Sequence, residues 1–246
     1  MKNKWIVIKS LLGILVLSFL VSFSAIRHAR KPVKDISVRV DHESGKYFVN
    51  DSLVKKLLDN KEIHVSSIPL GDLNINHLEK ALDRNSFIRK AEVFQDIDGV
   101  MKININQETP IARINTGTNE YYLSENLTEI PLSNLYAAKV ILVGGNIVKS
   151  DFAGLKELAT EISADKLLKK HIIAIKKEKP NSFILLVNKG NYVIEFGELK
   201  DFKAKFDKLK LFYEQYLGKV GWNYYEKINL KFNNQIVATK RNSDEE

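Results

Sequence analysis

AEVFQDIDGVMKININQETPIAR, residues 91–113, decides the fold. Ala91, Val93 and Ile97 share one parity before the pair Asp98-Gly99. After it, Met101, Ile103 and Ile105 alternate with Lys102, Asn104 and Asn106. Such alternation predicts two half-buried strands. Asp-Gly between them predicts a two-residue hairpin of type I′, which needs positive φ at both positions. Upstream, Ile36, Val38 and Val40 alternate with polar residues and predict another strand. Asn50 or Asp51 can cap a short helix carrying Leu53, Val54, Leu57 and Leu58. A polar loop with Pro69 and Gly71 follows. Asn76 and Glu79 then form a capping-box-like pair that opens a helix through Leu78, Leu82 and Phe87. Residues 35–114 thus run strand, helix, helix, strand, strand, with a closing hairpin and helices over one face of the sheet.

Downstream, residues 115–240 form a second, strand-rich region. Tyr121-Tyr122-Leu123 and Ile130-Pro131-Leu132 predict two short strands around a turn at Glu125-Asn126-Leu127, and Val140 to Val143 predict a buried strand ended by Gly144-Gly145. One helix is expected to carry Phe152, Leu155, Leu158, Ala159, Ile162, Leu167 and Leu168. Strands follow at 172–175, 183–187 and 192–196, the last two joined by Asn188-Lys189-Gly190-Asn191. Leu199, Phe202, Phe206, Leu209, Tyr213 and Tyr216 step by three and four, predicting a long amphipathic helix whose aromatic residues pack on the sheet. Two strands, 225–232 and 235–240, joined by Asn233-Asn234, end the region. The tail 241–246 is polar and is expected to be disordered.

The N-terminus differs. Trp5 to Ile26, WIVIKSLLGILVLSFLVSFSAI, carries a single charge, Lys9. As a helix it rises roughly 33 Å, against a bilayer core of about 30 Å. It is expected to be a transmembrane anchor (5–26), with Lys9 snorkelling to the headgroups and Trp5 at the interface. A cleaved signal peptide, with Ser22 and Ser24 before the cut, is the competing reading, but the apolar run is long for one. Lys2, Lys4 and Lys9 open the span and Arg27, Arg30, Lys31 and Lys34 follow it, so flanking charge does not set orientation. A four-residue leader (1–4) with the bulk of the chain beyond a linker (27–34) suits a cytoplasmic N-terminus and an exported C-terminal part.

With 246 residues, 44% hydrophobic and 28% charged, the chain has the composition of one or two globular domains. The absence of cysteine excludes disulfides, thiolate metal sites and a cysteine nucleophile. A net charge of +8 favours anionic partners, but the basic residues are spread along the chain and no nucleic-acid-binding signature accompanies them, so no nucleic acid is expected. Gly144-Gly145-Asn146 lacks both phosphate-loop patterns and is expected to be a plain turn. Ser163-Ala164-Asp165-Lys166 spells S-x-x-K without the companion motifs of penicillin-binding enzymes. His28, His42, His64, His77 and His171 have no metal-ligand spacing, and Glu157, Glu161, Asp201 and Asp207 lie among lysines on helix faces. No catalytic residue, cofactor, metal or small-molecule substrate is expected. The pattern points to a binding module.

SFIRKAEV, the hairpin and QETPIARI together resemble a POTRA domain, in particular that of the bacterial cell-division family FtsQ/DivIB. The elements that match are Phe87, Arg89 and Lys90, the strand 91–97, and Gln107 to Arg113. The ending INLKFNNQIVATK resembles the β-domain of the same family, with Lys231 where Arg is usual and Asn229 where Asp is usual. The resemblance implies an α+β protein: an N-terminal transmembrane helix, a small POTRA-like βααββ domain (35–114), then a mixed-sheet β-domain with flanking helices (115–240). It implies a non-enzymatic divisome scaffold of the inner (plasma) membrane, at the division septum. This scaffold would bind FtsB-like and FtsL-like subunits by edge-strand addition and link them to the septal wall synthase complex. The partner-binding residues it implies are Lys231, Phe232, Ile236, Val237 and Thr239 on the last strand pair, and Lys90, Ala91, Val93 and Gln95 on the POTRA strand. A POTRA-type docking or chaperoning module of envelope protein export is the alternative.

Overall fold

The computed structural model describes residues 2–29, 33–41, 45, 47–59, 69, 72–96 and 98–241. The expectations for Ile97, for Gly71 in the loop, for Arg30 and Lys31 in the linker and for the tail beyond residue 241 lie outside the described residues. The chain divides into two compact units, Met1–Gln107 and Glu108–Glu246.

The first unit opens with helix α1, Lys2–Ala29. Its side chains are described without a break over 8–24, and all of these are exposed. That stretch rises about 26 Å, less than the ~30 Å of a bilayer core. Among the described residues no helix is long and apolar enough to cross a membrane. The expected span is therefore not shown.

A three-stranded sheet follows in the order β1-β3-β2, with β1 at Asp35–Val40, β2 at Ile88–Gln95 and β3 at Val100–Gln107. β1 runs parallel to β3 and β2 antiparallel to it. Helices α2 (Asp51–Asp59) and α3 (Ile75–Asp83) supply Val54, Leu58, Leu78 and Leu82 to a core with Ala91, Val93, Met101, Ile103 and Ile105. Asn50 caps α2, its Oδ1 accepting from Leu53 N at 2.8 Å. The cap of α3 is Asn74, which accepts from His77 N, and not Asn76 as expected. The hairpin loop also differs. Gly99 has φ +84°, but Asp98 is not among the positive-φ residues. Asp96 N donates to Val100 O at 2.9 Å and Gly99 N to Asp96 O at 3.0 Å, which makes a three-residue loop with its left-handed residue last.

The second unit is built on nine strands in the order β12-β11-β10-β9-β8-β7-β4-β5-β6. In chain order these are β4 (Pro110–Asn115), β5 (Glu120–Ser124), β6 (Glu129–Pro131), β7 (Ile141–Gly144), β8 (Ile172–Lys179), β9 (Ser182–Val187), β10 (Val193–Gly197), β11 (Tyr225–Asn229) and β12 (Val237–Lys240). The Pro-Ile-Ala-Arg step, expected to close the smaller domain, is β4. It pairs with β5 and β7, so it belongs to this larger sheet. The single helix expected at 152–168 is two, α4 (Phe152–Ala164) and α5 (Lys166–His171). Asp165 lies between them in extended backbone, and its carboxylate accepts from Leu167 N and Leu168 N, so a helix cap interrupts the apolar periodicity. The S-x-x-K stretch straddles that break. Helices α4, α5 and α6 (Phe202–Phe212) bury Leu155, Leu158, Ile162, Leu168, Phe206 and Leu209 against Ile114, Val143, Ile175, Leu185, Ile194 and Phe196. Each such side chain contributes ~1.5–3 kcal/mol on full burial.

Gly145 is a structural turn residue: at φ +104°, a Cβ there would stand 2.5 Å from the Lys177 carbonyl oxygen. In the β5–β6 turn Leu127 itself takes φ +61°. The turn is held by Ser124, whose backbone N and O bond Thr128 and Leu127, and by the buried Glu108, which accepts from Asn126 Nδ2 and Thr128 Oγ1.

Candidate partner-binding edge

β12 is the last strand of the nine-stranded sheet, antiparallel to β11. Thr239 lies opposite Lys227, Ala238 opposite Ile228 and Val237 opposite Asn229, and Arg241 N extends the pairing by donating to Tyr224 O at 3.0 Å. Main-chain groups alternate in direction along a strand. Thr239 and Val237 therefore share the direction of Arg241, toward β11, and Ala238 and Lys240 turn their N–H and C=O outward. Arg241 fixes this register from a third side, donating through its guanidinium to the carbonyls of Asn223 and Asn191.

The side chains sort onto two faces. Val237, 43% exposed, and Thr239 share a face with Lys227, Asn229, Val193 and Glu195. Ile236, Ala238 and Lys240 line a groove of about 510 Å³. Its other wall is Lys208, Leu211, Phe212, Gln215 and Tyr216 of α6 and the segment after it, with Tyr225 from β11, and Asn234 and Gln235 close one end. Phe212 stacks on Tyr216 at 5.5 Å and packs against Tyr225 at 5.3 Å. Two cations border the groove. Lys208 Nζ donates to the carbonyls of Phe232 (2.5 Å) and Asn233 (3.1 Å), and Lys240 Nζ lies 5.4 Å from the Tyr224 ring centroid.

Of the residues expected at this end, Val237 and Thr239 lie on the edge strand and Ile236, half-buried, precedes it in the groove wall. Lys231 and Phe232 do not lie on a strand, since β11 ends at Asn229. Lys231 Nζ is paired with Glu195 Oε2 at 2.9 Å, and its stem lies over Gly197, where a Cβ would meet it at 2.6 Å. Burial raises the Glu195 carboxyl, but Lys231 and Lys227 more than offset that and hold it below its ordinary value. Phe232 sits in the bend after β11, 47% exposed.

Tyr216 was expected in the core and is 53% exposed, beside an equally exposed Leu211. The cause is local. After α6 the chain makes a π turn, Tyr213–Leu217, in which Gly218 N–H reaches the Tyr213 carbonyl. One extra residue per turn breaks the three-and-four stepping, and π turns of this kind recur at functional sites. The signal in the sequence was the surplus of apolar residues, since Leu211 and Phe212 do not fit the stripe that ends in Tyr213.

The second expected surface is occupied by the chain itself. Ala91 and Val93 are buried, 2% and 5% exposed. Their backbone N–H groups donate to Asp83 Oδ1 (2.7 Å) and Glu79 Oε1 (2.8 Å) of α3. Lys90 Nζ is tied to Glu92 at 2.6 Å, and Gln95 is half-buried, its Nε2 without a partner among the described residues. A strand adding at Ala91–Val93 would have to displace two charge-assisted bonds, ~1.5–3 kcal/mol each. The Glu79 expected in a helix cap thus closes an edge instead.

Residues 109–239 match the family described as FtsQ/DivIB, C-terminal related, and residues 32–106 match the POTRA-like domain. The chain belongs to the FtsQ/DivIB family. No curated protein matches it. FtsQ/DivIB proteins are non-catalytic cell-division scaffolds, and in this FtsQ/DivIB chain the POTRA-like match ends at residue 106, one residue before the boundary between the two compact units. Among the described residues no three His, Asp or Glu side chains are grouped to hold a metal ion.

Proposed function

We propose that this chain is a single-pass division scaffold that captures an extended segment of an FtsB-like subunit, together with its FtsL-like companion, on the open edge of β12. It thereby ties them to the septal wall synthase complex. The observation that carries this reading is the outward main chain of Ala238 and Lys240 lying beside a groove of mixed lining, whose apolar part is Leu211, Phe212, Tyr216, Tyr225 and Ile236. Main-chain bonds to the edge would supply affinity, and alternate side chains of the added strand would enter the groove and supply specificity. Lys208 and Lys240 favour acidic residues flanking an apolar centre in that strand.

The anchor belongs to the same proposal. Helix α1 is 28 residues long, and its described side chains include exposed Leu11, Leu12, Ile14, Leu15, Leu17 and Phe19. An all-round apolar surface of this kind suits a lipid environment. The sequence continues the run, broken only by the charge of Lys9, to Trp5 and Ile26, which supports a single membrane span; in this reading it crosses the inner (plasma) membrane with the N-terminus cytoplasmic and the bulk exported at the septum. Confinement to one membrane turns later contacts into intramolecular ones, so weak contacts add.

A photo-cross-linking side chain at Val237 or Tyr216, activated in dividing cells, tests the site. Recovery of an FtsB-like subunit by mass spectrometry is the expected result. Recovery of outer-membrane assembly partners would replace this reading with export docking, and an absence of cross-links at both positions would refute the β12 site.

A further inference from the structure

One buried titratable side chain lies behind the groove. His171 closes α5 and is 6% exposed. Its Nε2 is 2.7 Å from the Tyr192 hydroxyl, which in turn donates to the Tyr213 hydroxyl at 3.1 Å. The imidazole packs against the Trp222 ring at 4.9 Å and edge-on to the Tyr213 ring at 5.3 Å.

The groups facing it come from every neighbouring element. They are the Asn188 side chain and the Lys189 cation of the β9–β10 turn, the Tyr192 phenol before β10 and the Tyr213 phenol of the π turn. Among the described residues no carboxylate acts on its charge. Burial pushes the imidazole below its ordinary value, Asn188 opposes that push and Lys189 adds to it. Burial also raises both phenols, Tyr192 to about 12, so each stays a neutral hydrogen-bonding group while the imidazole titrates.

This chain of contacts ends on the residue that begins the π turn. The Tyr213 carbonyl accepts the Gly218 N–H that closes the turn. Phe212, the residue before it, and Tyr216, three residues after it, stack on each other and line the groove. Where the Tyr213 ring is pinned therefore sets where those two rings stand.

We propose that His171, Tyr192 and Tyr213 form a proton-sensitive strut: neutral His171 holds the π turn so that Phe212 and Tyr216 line the groove beside β12, and charging the imidazole releases that turn. The importance of the strut for partner capture rests on the reading of the groove given above, but its test needs no partner.

The sign follows from the depressed value of the folded state. The strut contributes fully above the ordinary histidine value of about 6.5 and is lost as pH falls below it. Hydrogen exchange of the full chain in detergent micelles, corrected for intrinsic pH dependence, reads the opening of residues 212–218. Protection should fall about tenfold per pH unit below about pH 6.5, until His171 itself titrates in the closed form. His171→Gln, which keeps an N–H donor but cannot be charged, should abolish that pH dependence. The same slope in H171Q, or flat protection in the wild type, overturns the proposal. If H171Q does not fold, the His171 ring signal in NMR of the wild type decides: its titration must coincide with the loss of protection, and a titration without that loss refutes the strut. Failure of the cross-linking test above would leave these outcomes unchanged.

Discussion

Replacing Ala238 by proline separates strand capture from folding. The Ala238 N–H points away from β11, so the ladder within the chain does not use it, and proline is tolerated on an edge strand when its missing N–H faces solvent. The residue before it, Val237, is already in a strand, as proline requires of its predecessor. An added strand would lose one main-chain bond there, and its own carbonyl would be left buried without a donor, at ~1–3 kcal/mol. The ring also occupies the approach of that carbonyl. We expect A238P to weaken partner binding by about 2–4 kcal/mol, roughly 30- to 1,000-fold in Kd, with thermal unfolding little changed. Titration calorimetry with the subunit recovered by cross-linking gives the affinity, and circular dichroism the stability. Thr239→Pro is the control. Its N–H faces Lys227 in β11, so it should destabilise the last strand pair itself. Wild-type affinity in A238P would refute edge capture at β12, and an unperturbed T239P would refute the assigned direction of the main chain.

Three further substitutions probe the fold. Leu127→Gly should stabilise the chain by about 1 kcal/mol in urea denaturation, because a left-handed leucine is strained by roughly that amount and this one is partly exposed. Asp151→Ala should cost about 3–5 kcal/mol in the same assay: Lys177 Nζ lies 2.6 Å from Asp151 Oδ2, both side chains are about nine-tenths buried, and the lysine would be stranded. Asp165→Asn should flatten the acid limb of the stability curve. The amides of Leu168 and Leu167 and the Lys210 ammonium hold the Asp165 carboxyl below its ordinary value against its partial burial. Its contribution is therefore present above the unfolded aspartate value of about 3.9 and is lost as pH falls through the lower folded one. Asparagine keeps the cap but has nothing to protonate.

The strand periods in the sequence placed most of the sheet because side chains alternate wherever one face is buried. Met101, Ile103 and Ile105 are all buried, and Lys102, Asn104 and Asn106 are not. What the alternation does not contain is which sheet a strand joins. Pro110 to Asn115 follow the hairpin after only two residues, so local reading attaches them to it. Their partners, β5 and β7, lie downstream, and pairing partners leave no local mark. The stripe from Leu199 to Tyr216 was legible as amphipathic, but a π turn has no residue signature of its own, and a phase shift of one residue sufficed to move Tyr216 from the core to the groove. At the POTRA-like strand, Ala91 and Val93 have the same apolar character whether they face a core or an open edge. The deciding residues, Glu79 and Asp83, sit on another element, where a carboxylate has the ordinary look of a solvated helix face.

The edges are not treated alike. β2 has two outward amides filled by carboxylates of α3. β6 is three residues long and ends in an exposed Pro131, which can donate nothing to an incoming strand. Among the described residues β12 has neither device. An unprotected edge beside exposed Leu211, Tyr216 and Val237 is an aggregation hazard, and Lys240, whose main chain faces outward on that edge, is the one charged side chain of β12. A lysine deters pairing between copies of this chain, because identical cations would meet, while leaving the edge usable by a strand with an acid at that position. Lys240→Glu should therefore reverse the preference of the edge for the charge of its partner without altering the main-chain bonds. If binding to the captured subunit were insensitive to that reversal, the cation would serve only to keep copies of the chain apart.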